Sequence, residues 1–230
     1  MYTCADCVAK PCRSRELDKL PANCPTAEYT EKENLDRYSE EEKHMAYCAA
    51  RVEGDYYCQI TRVEEIMEFA LRMGYEHLGV AFCMGFSEEA KTFVKILRAN
   101  HFTVDSVGCK NGSVSKRCLG ITREQQARKD REVEAMCNPA AQAELLTQAG
   151  CQLAVIMGLC VGHDTLFIRH CGIPCTVLAV KDRVMAHNPV GALYVSESYL
   201  KDRLYHYVDR RRKEAAEGMT EEEEKTEKSS

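Results

Sequence analysis

The chain has 230 residues and a mass of 26.0 kDa, with 45% hydrophobic and 29% charged residues. This suits one large domain, or a domain with an appendage, and leaves room for a core. A net charge of −5 and the absence of Trp argue against a basic nucleic-acid-binding domain, and the longest apolar run, 153–162, is too short to cross a bilayer.

The unusual number is 14 cysteines. The N-terminal MYTCADCVAK has neither a basic start nor an apolar run, so it does not read as a secretory leader. Without export, cysteine enrichment points to metal ligation or thiol chemistry in a reducing cytoplasm rather than to a disulfide framework. About half of the thiols are accounted for as small buried hydrophobes.

In chain order, residues 1–35 are Cys- and Pro-rich, polar and aperiodic, and read as a metal-binding segment. Residues 36–208 read as an α/β domain. Ser39 with Glu42 forms a capping-box signature for a helix over 39–52. Val63, Ile66, Met67, Ala70 and Leu71 share one face of a second helix over 61–73, stopped by Gly74. From residue 77 strands alternate with helices. Strands are predicted at 77–82, 102–107, 153–157 and 176–180, and helices at 87–100, 139–148 and 165–170. The helix at 139 begins with Asn138 as N-cap and Pro139 as first residue. A broken helix follows Asn188-Pro189 through about 212. Residues 209–230 read as a charged, disordered tail. Residues 213–230 alone hold three Lys and seven Glu, so the body is almost neutral. The alternation predicts a three-layer α/β fold with a mainly parallel sheet, Rossmann-like in outline, whose ligands bind beyond the carboxyl ends of the strands.

Two segments, about 78–149 and 153–208, repeat one another. Cys83-Met84-Gly85 and Cys160-Val161-Gly162 each follow a strand. Thr103-Val104-x-x-Val107 precedes Lys110, and Thr176-Val177-x-x-Val180 precedes Lys181. Cys137-Asn138-Pro139 matches His187-Asn188-Pro189. Read as a duplication, with 111–134 largely an insertion, the repeat places Cys83 and Cys160 at equivalent strand ends. It places Cys137 and His187 at equivalent helix entrances, and Cys109 beside them.

Several groups of residues carry chemistry. Cys4-x2-Cys7-x4-Cys12-x11-Cys24 lies in a segment too polar to build its own core and reads as a metal staple. Four thiolates suit tetrahedral zinc or a cubane iron–sulfur cluster. Zinc ribbons carry two close pairs, which this spacing lacks, so an iron–sulfur cluster is preferred and zinc is the alternative. In GLCVGHD, Cys160 sits near a helix start that favours a thiolate. His163 and Asp164 offer a proton donor and its orienter, although Asp164 serves equally as a cap. In KDRVMAHNP, Lys181 and Arg183 can hold an anion and Asp182 can restrain one of them; His187 is a candidate ligand or acid–base group, and Asn188 a cap or a substrate contact. Cys83, Cys109, Cys137 and Cys160 form a second candidate metal set. Cys48 lies on a helix within reach of the N-terminal segment. Cys58, Cys118, Cys151, Cys171 and Cys175 have no evident partner. There is no GxGxxG, Walker loop, HExxH or GxSxG, and the CxxC precedes the sheet, unlike a thioredoxin's.

The strings MCNPAAQAELL, GLCVGHDTLF and VKDRVMAHNPVGALY, with the CADC start, resemble the bacterial family called domain of unknown function 1847 over residues 4 to about 195. Its members are loosely described as metal-binding. The resemblance implies a site set of Cys4, Cys7, Cys12, Cys24, Cys83, Cys109, Cys137, Cys160, His163, Asp164, Lys181, Asp182, Arg183, His187 and Asn188. It brings no established reaction. Similar cysteine-rich proteins are common in anaerobes, which favours iron–sulfur chemistry. The expectation is a cytoplasmic protein with one or two 4Fe–4S clusters. It would carry out redox or sulfur-transfer chemistry on a small anionic molecule, served by an electron- or sulfur-donor protein. The alternatives are a non-catalytic metal or redox sensor or carrier, and a zinc-stapled small-molecule binding domain.

Overall fold

A computed structural model describes residues 1–215. The chain falls into two compact units, one over Met1–Gly74 and one from Tyr75 onward. The expectation of a disordered acidic tail falls mostly on residues outside those described.

The first unit opens with short helical turns, including Cys4–Asp6, α1 (Pro11–Ser14) and Pro25–Ala27. In these turns Pro11 is the one buried residue. Three helices follow: α2 (Glu31–Leu35), α3 (Glu40–Tyr56) and α4 (Arg62–Met73). Each begins with a complete capping box, formed by Thr30 with Glu33, Ser39 with Glu42 and Thr61 with Glu64. The reciprocal bonds satisfy amide donors that the first helical turn leaves open. Gly74 ends α4 in a left-handed conformation, φ 70°, as its lack of a Cβ allows. Cys48 and Val52 of α3, and Ile66 and Ala70 of α4, are the buried residues of the helix pair. The Cys48 sulfur lies 3.5 Å from the Arg72 carbonyl, so this thiol belongs to the contact between α3 and α4.

The second unit is built on four parallel strands: β1 (His77–Phe82), β2 (Thr103–Gly108), β3 (Leu153–Leu159) and β4 (Cys175–Val180). Their order is β2-β1-β3-β4. The two strand–helix–strand segments therefore stand side by side, with β1 and β3 in the centre. The connecting helices are α5 (Ser87–Ala99), α6 (Pro139–Gln148) and α7 (His163–His170). The segment after β4 breaks into α8 (Val190–Tyr194), α9 (Lys201–Tyr205) and further helical residues to 215. Asn138 caps α6 as its sequence demands, with its side-chain oxygen accepting from the Ala141 amide at 3.2 Å.

The sheet is covered on both faces. Ala81, Ala154 and Ile156 pack with Ala143 and Leu146 of α6 and Phe167 of α7. Alternation along β1 turns Leu78 and Val80 the other way, toward the side of α5 and its buried Ala90, Phe93, Val94 and Leu97. All seven residues of β3 are buried, as expected for a central parallel strand.

β3 is not regular. Its register against β4 shifts between Met157 and Leu159, and Gly158 between them has φ +64°. A Cβ at Gly158 would lie 2.2 Å from the Phe86 ring. The bulge lets Leu159 rejoin the face that Ala154 and Ile156 occupy and leaves room for Phe86 beneath the strand end. Gly158→Ala is expected to lower unfolding stability by about 3 kcal/mol, from left-handed strain plus overpacking. Denaturant unfolding measures this, and a loss below about 1 kcal/mol would show that the strand end relaxes freely.

Candidate functional site

Parallel strands all end at one edge, so the residue after each strand arrives at the same rim. Those residues are Cys109 after β2, Cys83 after β1, Cys160 after β3 and Lys181 after β4. Their backbones continue the ladder. The Cys109 amide donates to Phe82 O at 2.9 Å, that of Cys83 to Met157 O at 3.0 Å and that of Lys181 to Leu159 O at 3.1 Å. Cys137 joins from the loop before α6, where the Asn138 amide donates to Cys109 O at 2.8 Å. Gln142 of α6, fully buried, clamps this corner: its amide nitrogen donates to Phe82 O at 3.2 Å and to Val107 O at 2.6 Å.

The thiols sort into a trio and a single. The sulfurs of Cys109 and Cys137 are 3.8 Å apart, and Cys109 also interacts with the thiol of Cys83 closely enough to shift its pKa. The Met84 amide donates to the Cys109 sulfur at 3.4 Å. Cys109, buried, is pushed up from the usual thiol range by Cys137 and Cys83 and by desolvation. Its neighbours go the other way. Cys83 is held down first by Cys109, then by the Gly85 amide and Lys181, with burial opposing. Cys137 is held down by Cys109, then by the charges of His163 and Lys110, again against burial. Cys160 stands apart, accepting a hydrogen bond from the Arg183 guanidinium at 3.4 Å. That bond raises the Arg183 pKa further, and the charges of Cys83 and Cys137 add to it. One edge therefore gathers sulfurs that favour negative charge and cations that offset it.

The cationic side is ordered by Phe86. Lys181 Nζ lies 4.5 Å from the centre of its ring, and the His187 ring packs against it, tilted by 51°, at 4.4 Å between centroids. A Cβ at Gly85 would stand 2.8 Å from Lys181 Nζ, so a larger residue there would displace the tip of the lysine. His187 reaches Phe86 because Ala186 and His187 both adopt left-handed conformations, φ 49° and 65°. Its Nδ1 accepts from the Asp182 amide at 3.1 Å, which leaves Nε2 as the nitrogen that carries the ring proton.

Other residues singled out in the sequence have local roles. Asp182 makes a turn, accepting from the amides of Val184 and Met185, both at 2.9 Å. These bonds draw its pKa down. Asp164 accepts from the Thr165 amide at 2.7 Å, and the N-cap of α7 is Gly162, which has no side chain to offer. Asn188 is exposed, and its carbonyl accepts from Gly191 in the turn that starts α8. In the first unit Cys4, Cys7, Cys12 and Cys24 all line one cavity of about 60 Å³, with Pro11 and Pro25 in its wall. No three of these four sulfurs lie within 4.8 Å of one another.

The profile of a protein family of unknown function, DUF1847, matches residues 23–178, a span that contains Cys24, Cys83, Cys109, Cys137 and Cys160. The chain belongs to the DUF1847 family. An uncharacterised protein of Methanocaldococcus jannaschii is 40% identical over 199 residues, covering 86% of this chain and 96% of its own. No solved structure matches. Among the described residues of this DUF1847 chain, no helix is long and apolar enough to cross a membrane.

Two features escaped the sequence reading. Lys110, seen there as one half of a repeat match, faces Cys137. His77, Asp105 and Cys151 present ligand atoms within 4.8 Å of one another at the opposite edge of the sheet. The donors of that group are 28 and 46 residues apart in sequence, and no motif spacing marks them.

In metal-free DUF1847 protein, Cys83 and Cys137 are expected to be alkylated faster than Cys109 near neutral pH, as peptide mapping after iodoacetamide would show. Lys181 favours the charged form of Cys83, so Lys181→Gln should move the pH profile of Cys83 alkylation upward. An unchanged profile would mean that the lysine does not act on this thiol.

Proposed function

We propose that this protein is a cytoplasmic iron–sulfur protein whose crevice carries out redox or sulfur-transfer chemistry on a small anionic molecule. The observation that carries the proposal is the arrangement of Cys83, Cys109 and Cys137 around the carboxyl ends of β1 and β2. Cys109 touches both neighbours, while the three sulfurs do not all come within 4.8 Å of one another. With metal–sulfur bonds of about 2.3 Å, ligands on a single tetrahedral zinc lie about 3.8 Å apart. Cys137 keeps that spacing from Cys109, but the trio as a whole is wider, and that excess is what supports a polynuclear cluster over a single ion. The same reasoning favours a cluster over zinc for Cys4, Cys7, Cys12 and Cys24, where it serves as a staple for a segment with little core of its own.

An iron–sulfur cluster held by three cysteines would supply electrons, or an iron with an exchangeable position, to a bound molecule. The chain's own residues do the rest. Lys181 and Arg183 neutralise an anionic group beside the thiols, and Phe86 fixes the place of Lys181. His187, with Nδ1 engaged by the Asp182 amide, offers its Nε2 proton at the rim. Cys160, on the Arg183 side, is the thiol left free to act as nucleophile or sulfur acceptor. Reducing or sulfur equivalents would come from a donor protein.

The test is anaerobic purification with iron and acid-labile sulfide analysis, absorption and electron paramagnetic resonance. Iron and sulfide should be present in equal amounts. Cys137→Ala should lose roughly half of the iron if both sites carry four-iron clusters, whereas Cys160→Ala should keep it. A colourless, zinc-loaded, iron-free protein would overturn the proposal, and so would a Cys137→Ala variant with undiminished iron.

A further inference from the structure

The crevice does not use the amino-terminal edge of the sheet. Strands of six residues set that edge roughly 20 Å from the thiol trio. His77 opens β1, Asp105 is the third residue of β2, and Cys151 stands two residues before β3. The register pairs His77 with Thr103 and Gly79 with Asp105, so His77 and Asp105 project from the same face of neighbouring strands. Cys151 is brought over them by the tight turn after α6, where its amide donates to Leu146 O at 3.2 Å. Its thiol packs directly over Gly79, and a Cβ there would be 3.3 Å from the sulfur.

The donor geometry is that of a ligand set. His77 Nε2 lies 2.8 Å from Asp105 Oδ2 and 3.6 Å from Cys151 Sγ, and all three atoms fall within 4.8 Å of one another. One ring nitrogen faces both partners, so a single N–H proton cannot bond fully to each. A metal ion bound to all three removes the conflict. With bonds of about 2.0 Å to nitrogen and oxygen and 2.3 Å to sulfur, tetrahedral donors lie about 3.3–3.6 Å apart; His77 matches this toward Cys151 and would move back by about half an ångström from Asp105 to admit the ion. The backbone of His77 is held in place, its amide donating to Gln152 Oε1 at 3.0 Å and its carbonyl accepting from the Gln152 amide at 2.8 Å. The set is graded in exposure, with Cys151 buried and the Asp105 side chain 52% exposed, so an ion has a route in from the carboxylate side.

We propose that His77, Asp105 and Cys151 form a site for a divalent transition metal of the zinc class, with a fourth position open to solvent. Mixed nitrogen, oxygen and sulfur donors select such an ion over magnesium or calcium, which take oxygen. The site is separate from the crevice and does not depend on iron–sulfur chemistry there.

Cobalt(II) tests it. The full-length, anaerobically purified protein is titrated with Co²⁺, reading tetrahedral visible bands and thiolate-to-cobalt charge transfer. Wild-type protein should take up one equivalent more than either His77→Gln or Cys151→Ala. Asp105→Asn, at a half-exposed position, should fold normally and bind that equivalent at least about tenfold more weakly. Circular dichroism checks that the other two variants fold. If wild type and Asp105→Asn bind equally, or if the extra equivalent shows no thiolate charge transfer, the site is wrong.

Discussion

Parallel pairing is the constraint on which the second unit depends. Antiparallel strands would have sent alternate strand ends to opposite edges. Here the order β2-β1-β3-β4 delivers every strand to one rim, and the residues that follow are three cysteines and a lysine. Nothing in the local sequence of LGVAFC or TVDSVGC makes a site; the shared direction of the strands does. The ladder bonds that carry Cys83, Cys109 and Lys181 past the strand ends extend this order into the crevice.

Gathering thiols on a rim has an electrostatic cost, and the chain meets it by placing cations around them. Lys110, His163 and the Lys181–Arg183 pair approach the sulfurs from three different segments, while the central thiol, Cys109, is the one driven toward its neutral form. A neutral centre between two thiols that favour charge separates the like charges from each other. Phe86 gives the arrangement a fixed reference, since one ring contacts Lys181 and His187 and fills the space that Gly158 leaves open.

Much of this was legible in the sequence because it follows from local rules. Apolar runs and Asn-Pro or capping-box starts placed β1 and α6 at the residues found, and the rule for ligand sites in parallel sheets pointed to the strand ends. The repeat correctly singled out Cys83 and Cys160 as residues that each follow a strand. What stayed hidden depended on backbone geometry or on register. The bulge at Gly158 carried β3 two residues beyond its expected end. Asp182 and Asp164, charged and adjacent to reactive groups, spend their carboxylates on nearby amides. Cys151 looked partnerless because its neighbours His77 and Asp105 lie on two other strands, and only the sheet register brings them together.

The buried amide of Gln142 has a consequence for the order of assembly. By gripping the carbonyls of Phe82 and Val107, α6 fixes the spacing between the ends of β1 and β2 as a property of the folded core. Cys83, Cys109 and Cys137 come from three segments that this core brings together, so a cofactor held by them would depend on the folded sheet. The N-terminal thiols are the opposite case. They fall within 21 residues of an exposed segment, and a ligand can order that stretch as the chain emerges. If both proposed sites take a cofactor, one polypeptide would carry a late-loading rim and an early-loading loop, drawing on the cell's metal supply at different moments of its maturation.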